Sequence, residues 1–193
     1  MMNTMRAARP TQISTHHGLT LLEMLVAVAV LAIILTTVAP NIQSILIKNR
    51  ITSDLNNLSA VTQRARFTAV DEQANVVLCP TENYASCVSS WQKAKMVFID
   101  LNGNGSRDGS ESLIVASDPL NSANIIFGVD GSLVFDEQGG IDKAATITLC
   151  PKDKDANYAS ALLLSLYGRV SVAIDSDNNG KKEDLAGNEL SCS

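Results

Sequence analysis

Hydrophobic and polar positions divide the chain into three parts. Residues 19–39 form one apolar run, LTLLEMLVAVAVLAIILTTVA, in which Glu23 is the single charged residue. A helix of this length spans roughly 32 Å at about 1.5 Å per residue, which matches one bilayer core. The pattern predicts a transmembrane helix over residues 19–40, preceded by a polar segment over residues 1–18.

After Pro40 the chain becomes amphipathic. Five apolar residues recur at intervals of four, three, three and four positions, with polar residues between them: Ile51, Leu55, Leu58, Val61 and Ala65. This spacing places the five side chains on one face of a helix. It predicts that residues 41–70 continue the helix and pack this face against a folded head.

The third part, residues 71–193, alternates short apolar runs with clusters of Gly, Asn, Asp and Ser. This pattern is typical of strands that are joined by turns. We expect eight strands, at residues 76–78, 95–100, 113–116, 125–127, 133–135, 145–149, 161–167 and 169–174. A long helix packed on antiparallel sheets gives an α+β fold.

Composition excludes several classes of function. Hydrophobic residues make up 46% of the chain and charged residues 18%, which is typical of a folded protein. The two histidines are adjacent, at His16 and His17, so the rest of the chain has no imidazole for Ser-His-Asp or Cys-His catalysis or for most transition-metal sites. No spacing of acidic residues singles out a catalytic pair. We predict no enzymatic activity and no cofactor, and an anchored enzyme ranks last among the functions considered.

All the cysteines follow the apolar run, at positions 79, 87, 150 and 192. An even number of cysteines in an exported domain favours disulfides. Three pairings are possible. We favour Cys79–Cys87, which closes a short loop, and Cys150–Cys192, which ties the C-terminal tail to a strand. Tetrahedral zinc is the alternative, but the chain has no Cys-x2-Cys pair.

Glu23 separates three interpretations of the apolar run. A secretory signal peptide would be removed after residues 37–39, but Pro40 is a poor residue to follow such a cut. A plain membrane anchor needs no carboxylate, and a carboxylate in a spanning helix costs about 2.5–3.5 kcal/mol on insertion scales. The third interpretation, that Glu23 is kept for a function, is therefore favoured.

The segment around Glu23 resembles the type IV pilin N-terminus, usually written G-F-T-L-x-E. Here it reads Gly18-Leu19-Thr20-Leu21-Leu22-Glu23, with leucine in place of phenylalanine. The resemblance implies that residues 1–18 are a prepilin leader, that prepilin peptidase cleaves after Gly18, and that the new amine of Leu19 is methylated. It also implies a helix kink at Pro40.

Cleavage before Leu19 would create a cation close to the Glu23 carboxylate. In a helical stack of subunits, the amine of one subunit can meet Glu23 of the next, so that both charges are neutralised in the apolar filament core. The same helix then serves for membrane residence and for filament assembly.

The head resembles the GspH/FimT group of minor pilins, which includes FimU-like subunits. The matching elements are Leu78-Cys79-Pro80, Cys87, Trp91, residues 97–100, Glu111, Leu149-Cys150-Pro151 and residues 167–170. The resemblance implies a pilin fold, with the long helix packed on an antiparallel sheet.

The same resemblance implies a structural function. We expect a minor pilin of a type IV pilus, acting at its initiation or tip and supporting twitching motility, adhesion or DNA uptake. The alternative is a minor pseudopilin of type II secretion. The implied partners are other pilins, prepilin peptidase and the inner-membrane assembly platform. The implied location is the inner membrane, with a single pass and a periplasmic head, and then the pilus or pseudopilus.

Two loops carry oxygen side chains at spacings that suit calcium. Asp100, Asn102, Asn104 and Glu111 occupy positions 1, 3, 5 and 12 of an EF-hand-like pattern with glycine at position 6. Because strands are predicted on both sides, the first interpretation is a hairpin turn. A second loop, residues 175–180, has Ala186 at the twelfth position and is the weaker candidate.

Arg169 is a candidate for DNA contact. Some FimT-type pilins carry a Gly-Arg-x-Arg element implicated in DNA uptake, but here it reads Gly168-Arg169-Val170-Ser171, without the second arginine. Residues 19–193 have a net charge of −7, and aromatic residues make up 4% of the chain. An acidic surface with few aromatic rings disfavours binding to a polyanion. A DNA receptor at the filament tip is therefore an alternative that we do not favour.

Overall fold

A computed structural model describes the backbone of residues 18–193 and their side chains except those of residues 37–41. Most of the predicted leader, residues 1–17, lies outside the described residues. The chain divides into an N-terminal unit that ends at Ile42 and a head unit, Gln43–Ser193.

One helix, α1, runs from Leu21 to Glu72, close to the predicted bounds. Apart from Glu23, its first turns carry apolar side chains on every side, and all the side chains of residues 19–36 are exposed. Within the part of the chain that the structure describes, no helix combines the length and apolarity needed to cross a membrane. The predicted span extends to residue 40 and so includes side chains that lie outside the described residues.

The head contains eight strands, and each one overlaps a predicted strand. They are β1 Val76–Thr81, β2 Ala94–Ile99, β3 Leu113–Ser117, β4 Asn124–Phe127, β5 Leu133–Phe135, β6 Ala145–Pro151, β7 Ser160–Leu164 and β8 Val170–Val172. They form two antiparallel sheets with the orders β3-β2-β1-β5 and β4-β6-β7-β8. The α+β prediction is confirmed.

Strand β1 is longer than predicted because it continues through Pro80. A proline interrupts a sheet only where its missing N–H is needed by a neighbouring strand. The carbonyl of Pro80 accepts from the amide of Val88, on the side away from β2, and β5 pairs with β1 only over Val76–Leu78. The side of Pro80 that lacks a donor therefore faces no strand.

Strands β7 and β8 are shorter than predicted because a tight turn separates them. The amide of Ser165 donates to the carbonyl of Arg169, and the amide of Gly168 donates to the carbonyl of Ser165. These bonds end β7 at Leu164 and delay β8 until Val170.

The predicted apolar stripe of α1 forms the centre of the head. All five predicted residues are buried, with exposed fractions from 0% at Ala65 to 7% at Val61, and Ala69 extends the stripe. They pack against the inner faces of both sheets, which contribute Val76, Leu78, Val97, Leu133, Phe135, Ile147, Leu149, Leu162 and Leu164. Burying a side chain of Leu or Ile size contributes about 1.5–3 kcal/mol, so the stripe contributes several times that amount to the stability of the head.

The outer face of each sheet is covered by a segment that a disulfide holds in place. On the first sheet, Cys79–Cys87 lies in a cluster with Met96 and Phe98. On the second, Cys150–Cys192 fixes the C-terminal tail over a cluster that consists of Cys150, Ala159, Ala161, Leu163, Ala173, Leu190 and Cys192. These are the two pairings that the sequence favours. Strands β1 and β7 are therefore buried on both faces.

Polar side chains fix α1 to the start of β4. The guanidinium of Arg50 donates through Nε to Oδ1 of Asn124 at 2.7 Å, and Nδ2 of Asn124 donates to Oδ2 of Asp54 at 2.7 Å. The Asp54 carboxylate is buried and also accepts from the amide of Asn121. These directional bonds set the register of the helix on the sheet, which apolar packing alone does not specify.

We predict that the two disulfides differ in their contribution to stability. Cys150 and Cys192 are 42 residues apart and Cys79 and Cys87 are 8 apart. On the chain-entropy estimate, losing the long-range bond costs about 4 kcal/mol and losing the short one about 2.5 kcal/mol. Urea unfolding of the two double Cys→Ser variants of the full chain measures this difference. A larger loss in the Cys79/Cys87 variant would contradict the estimate.

We also predict that Lys95 destabilises the head at neutral pH. Its side chain is 2% exposed, and burial lowers its pKa to about 8, while the Asp54 carboxylate opposes that shift. From pH 8 to about 10.5 the unfolded state binds more protons at this site than the folded state, so this group makes the protein more stable as pH rises. Lys95→Met should therefore raise the free energy of unfolding at pH 7 by about 1–3 kcal/mol, with the gain shrinking toward pH 10.5.

The control for Lys95→Met is Lys93→Met on the same segment. Lys93 is half exposed and pairs with Glu82 at 2.8 Å. Exposed ion pairs contribute about 0–1 kcal/mol, so this variant should change stability little. Denaturant unfolding of both variants at several pH values tests the prediction, and a Lys95→Met variant less stable than the parent at pH 7 would refute it.

Candidate assembly motif and head surfaces

Helix α1 begins at a reciprocal cap formed by Thr20 and Glu23. Oγ1 of Thr20 accepts from the amide of Glu23 at 3.2 Å, and Oε2 of Glu23 accepts from the amide of Thr20 at 3.4 Å. This is the capping box of the Thr-x-x-Glu pattern, which satisfies two amides that a helix start leaves without partners. The sequence signal is Thr20 three positions before Glu23, directly ahead of an apolar run, and sequence analysis missed it.

The cap gives Glu23 a structural role beside the assembly role that the sequence predicts. A carboxylate in the first turn of a helix is stabilised by the positive end of the helix dipole. The Glu23 side chain is exposed, so it remains accessible to a cation from another molecule. The first turn of α1 therefore presents a fixed negative charge at the start of an apolar helix.

The predicted cleavage position is exposed. Gly18 and Leu19 precede α1, and Leu19 is 69% exposed. A Cβ added to Gly18 would meet no atom within 4 Å, so packing within the chain does not require glycine there. Pro40 lies inside α1, and its side chain lies outside the described residues. The kink at this residue stays a prediction.

The loop over residues 100–111 uses its oxygens within the chain. Asp100 and Glu111, the first and last of the predicted calcium ligands, are both buried. The two carboxylate oxygens of Glu111 accept from the amides of Leu101 and Asp108, each at 2.9 Å. Asp100 and the two asparagine ligands also accept from loop amides. The loop keeps its conformation through these bonds, and calcium binding there stays a prediction.

The second loop, which sequence analysis ranked lower, brings carboxylates closer together. One oxygen from each of Asp175, Asp177 and Glu183 lies within 4.8 Å of the others. Among the residues that the structure describes, this is the one group of three such ligands. The calcium pattern used on the sequence expects its last ligand at position 12. Counted from Asp175, Glu183 stands at position 9, so the pattern does not find it.

Arg169 lines a groove between α1 and β8. The groove has a volume of about 510 Å³, and its lining residues are Gln63, Arg66, Phe67, Val70, Arg169 and Val170. In the Gly-Arg-x-Arg element, Ser171 stands where the second arginine would be. Arg66, which the sequence analysis did not consider, brings a second guanidinium to the groove. Nε of Arg66 donates to the carbonyl of Gly139 at 2.9 Å, so part of its hydrogen-bonding capacity is used within the head.

Gly168 is explained by packing rather than by a ligand. Its φ is +68°, and a Cβ at this position would overlap the carbonyl oxygen of Gly139. Only glycine fits this conformation and this close approach without strain. The Gly168-Arg169 pair therefore has a structural origin, while the Arg169 side chain itself is exposed.

Comparisons with known proteins agree with this architecture. The fold resembles that of the type IV minor pilin FimU of Pseudomonas aeruginosa, at 18% identity and a TM-score of 0.56, over 75% of this chain and 96% of that one. It also resembles the minor pseudopilin EpsH of the Vibrio cholerae type II secretion system, at 8% identity and a TM-score of 0.50, over 66% of this chain and 99% of that one. No curated protein sequence matches the chain significantly.

Two family matches cover most of the described chain. Residues 13–39 match the prokaryotic N-terminal methylation motif, and residues 54–168 match the family described as type II transport protein GspH. The members of the pilin and pseudopilin families are structural subunits rather than enzymes. The chain belongs to the GspH family of minor pilins and pseudopilins.

Proposed function

We propose that this chain is a minor pilin that joins a type IV pilus as an initiation or tip subunit. The observation that carries the proposal is the start of α1, where a capped carboxylate in the first turn is followed by an exposed stretch, residues 24–36, without a charged side chain. A helical stretch with apolar side chains on every side needs a bilayer or other subunits to cover it. Filament assembly supplies that cover once the helix leaves the membrane.

Processing before Leu19 completes the assembly site. The methylated amine of one subunit would approach Glu23 of the neighbouring subunit, so that a cation and an anion enter the apolar core together. An unpaired charge there would cost several kcal/mol, whereas a pair with hydrogen bonds is tolerated. The Thr20 hydroxyl caps the first helical turn, and the contact itself depends on the charge of Glu23 rather than on the cap.

This proposal implies a cellular location and a set of partners. Before assembly the apolar helix would hold the subunit in the inner membrane, with the head in the periplasm. Prepilin peptidase and the inner-membrane platform would be its first partners, and other pilins would be its later ones. Two disulfides in the head suit that compartment, because thiols are oxidised there.

A pseudopilus of type II secretion is the second candidate. The family description and the likeness to EpsH favour it, whereas the likeness to FimU favours the pilus. A DNA receptor at the pilus tip is a third candidate, and its support is the pair Arg66 and Arg169 in one groove. The acidic net charge opposes it, so it ranks behind the structural functions.

We predict that the charge of Glu23, rather than its capping role, drives assembly. Glu23→Gln keeps a side chain that can accept from the Thr20 amide but removes the charge, and Glu23→Ala removes both. Both variants should enter the membrane normally, since the cost of inserting a carboxylate disappears. Their incorporation into sheared filaments should fall at least tenfold, as measured by quantitative immunoblotting.

The matched control is Thr20→Ala, which weakens the cap and keeps the charge. This variant should be incorporated at close to the parental level. Normal incorporation of Glu23→Gln together with loss in Thr20→Ala would reverse the assignment.

Deletion of the gene separates the type IV pilus from the type II secretion pseudopilus. Loss of pili with intact secretion supports the pilus, and loss of secretion with intact pili supports the pseudopilus.

A further inference from the structure

The C-terminal tail contains a cluster of three carboxylates that the assembly function does not use. Asp175, Asp177 and Glu183 lie in the loop that follows β8, with one oxygen from each within 4.8 Å of the others. Three negative charges at this separation repel one another strongly where water is partly excluded. A compact loop of this kind is favoured when a cation sits among the oxygens.

Glu183 supplies the second observation. Its side chain is 8% exposed, and its Oε1 atom is buried without a hydrogen-bond partner. The other oxygen, Oε2, accepts from both the amide and the hydroxyl of Ser176 at 2.8 Å. A buried carboxylate oxygen without a donor is costly, and burying a charge needs a partner of opposite sign. Oε1 is therefore the atom of this side chain that is left for a ligand.

The lysines next to the cluster are engaged elsewhere. Nζ of Lys181 forms an ion pair with Glu189 at 2.5 Å, and Nζ of Lys182 donates to the hydroxyl of Ser160 at 2.8 Å. Neither of these contacts is made to the three carboxylates. Neither lysine therefore forms an ion pair with the cluster, although both oxygens of Asp177 accept hydrogen bonds from Asn179.

The loop over residues 100–111 provides an internal comparison. In both loops the first aspartate accepts from the amides at the fifth and sixth positions, as Asp100 and Asp175 show. The buried glutamates differ, however. Both oxygens of Glu111 accept from backbone amides, whereas Glu183 has one oxygen left over. The two loops share a turn geometry, but every oxygen of the buried glutamate has a donor only in the loop over residues 100–111.

We propose that the loop over residues 175–183 binds Ca²⁺ through the carboxylates of Asp175, Asp177 and Glu183. The donors are all hard oxygens, which suits calcium and excludes the softer metals that need nitrogen or sulfur. Calcium accepts irregular coordination with additional waters, whereas magnesium demands a strict octahedron. An exported site of this size is expected to bind with a Kd of about 10⁻⁴–10⁻³ M.

The bound ion would fix the first part of the C-terminal tail. The amide of Glu183 donates to the carbonyl of Ile174, and the amide of Leu190 donates to the carbonyl of Lys182. Further along, Leu190 and Cys192 pack on the outer face of the second sheet. The disulfide holds the far end of the tail, and calcium would hold its beginning, so the two act on the same cover of the sheet.

The test is calcium titration of the full chain in detergent micelles, after treatment with a chelator. We expect one saturable site by calorimetry, a melting temperature that rises with calcium as linkage requires, and binding of magnesium at least tenfold weaker. Protection of residues 174–190 from amide hydrogen exchange should increase. The absence of saturable binding up to about 10 mM calcium, tenfold above the weaker end of that range, would overturn the proposal.

Variants distinguish this loop from the other one. Glu183→Gln removes the charge at constant shape and should weaken calcium binding at least tenfold, while the matched control Glu111→Gln should leave it unchanged. Asp177→Asn alters an exposed ligand and keeps the test decisive if Glu183→Gln does not fold. Loss of binding in Glu111→Gln with retention in the other two would contradict the assignment. Filament incorporation is measured separately, so the failure of one proposal leaves the other standing.

Discussion

The burial of one stripe of α1 between the inner faces of two sheets is the contact on which the rest of the head depends. Residues from Ile51 to Ala69 fill the space that both sheets share, so neither sheet has a complete core without the helix. Arg50 and Asp54 then bind Asn124 at the start of β4. These bonds define the register of the helix on the sheet, which apolar packing alone leaves open. The same helix begins at Leu21, and the side chains of residues 19–36 are exposed among the described residues.

A second constraint follows from placing the helix on the inside. Once α1 covers the inner face of each sheet, the outer faces need covers of their own. Each cover is held by a disulfide. The C-terminal cover is the longer one, and its first residues contain the three clustered carboxylates. A cation there would stabilise the part of the cover that is most distant in sequence from its disulfide.

The elements of the fold could be predicted from the sequence because they depend on local periodicity. The four-three-three-four spacing from Ile51 to Ala65 gave the buried face of α1, and all eight apolar runs became strands. The errors lie where tertiary geometry decides the outcome. Pro80 continues a strand because β5 has already ended, which is a property of the sheet rather than of the Cys-Pro sequence.

The candidate sites were less predictable because they depend on hydrogen bonds between distant residues. Arg66 and Arg169 meet in one groove only after α1 packs beside β8. The spacing rules ranked the loop ending at Glu111 above the loop ending at Glu183, but the hydrogen bonds favour the second as a cation site. The cap between Thr20 and Glu23 could be predicted from the Thr-x-x-Glu pattern. The sequence analysis explained Glu23 by its assembly role in pilins instead and did not consider a cap.

The mass of the mature chain tests the central claim, that α1 becomes an assembly helix with a new N-terminus beside Glu23. Intact-protein and peptide mass spectrometry of the protein purified from membranes and from sheared filaments measures it directly. The account predicts a chain that begins at Leu19, carries one added methyl group on its amine, and retains all of α1. A mature chain that begins at Pro40, or one that keeps residues 1–18 in assembled filaments, would contradict it.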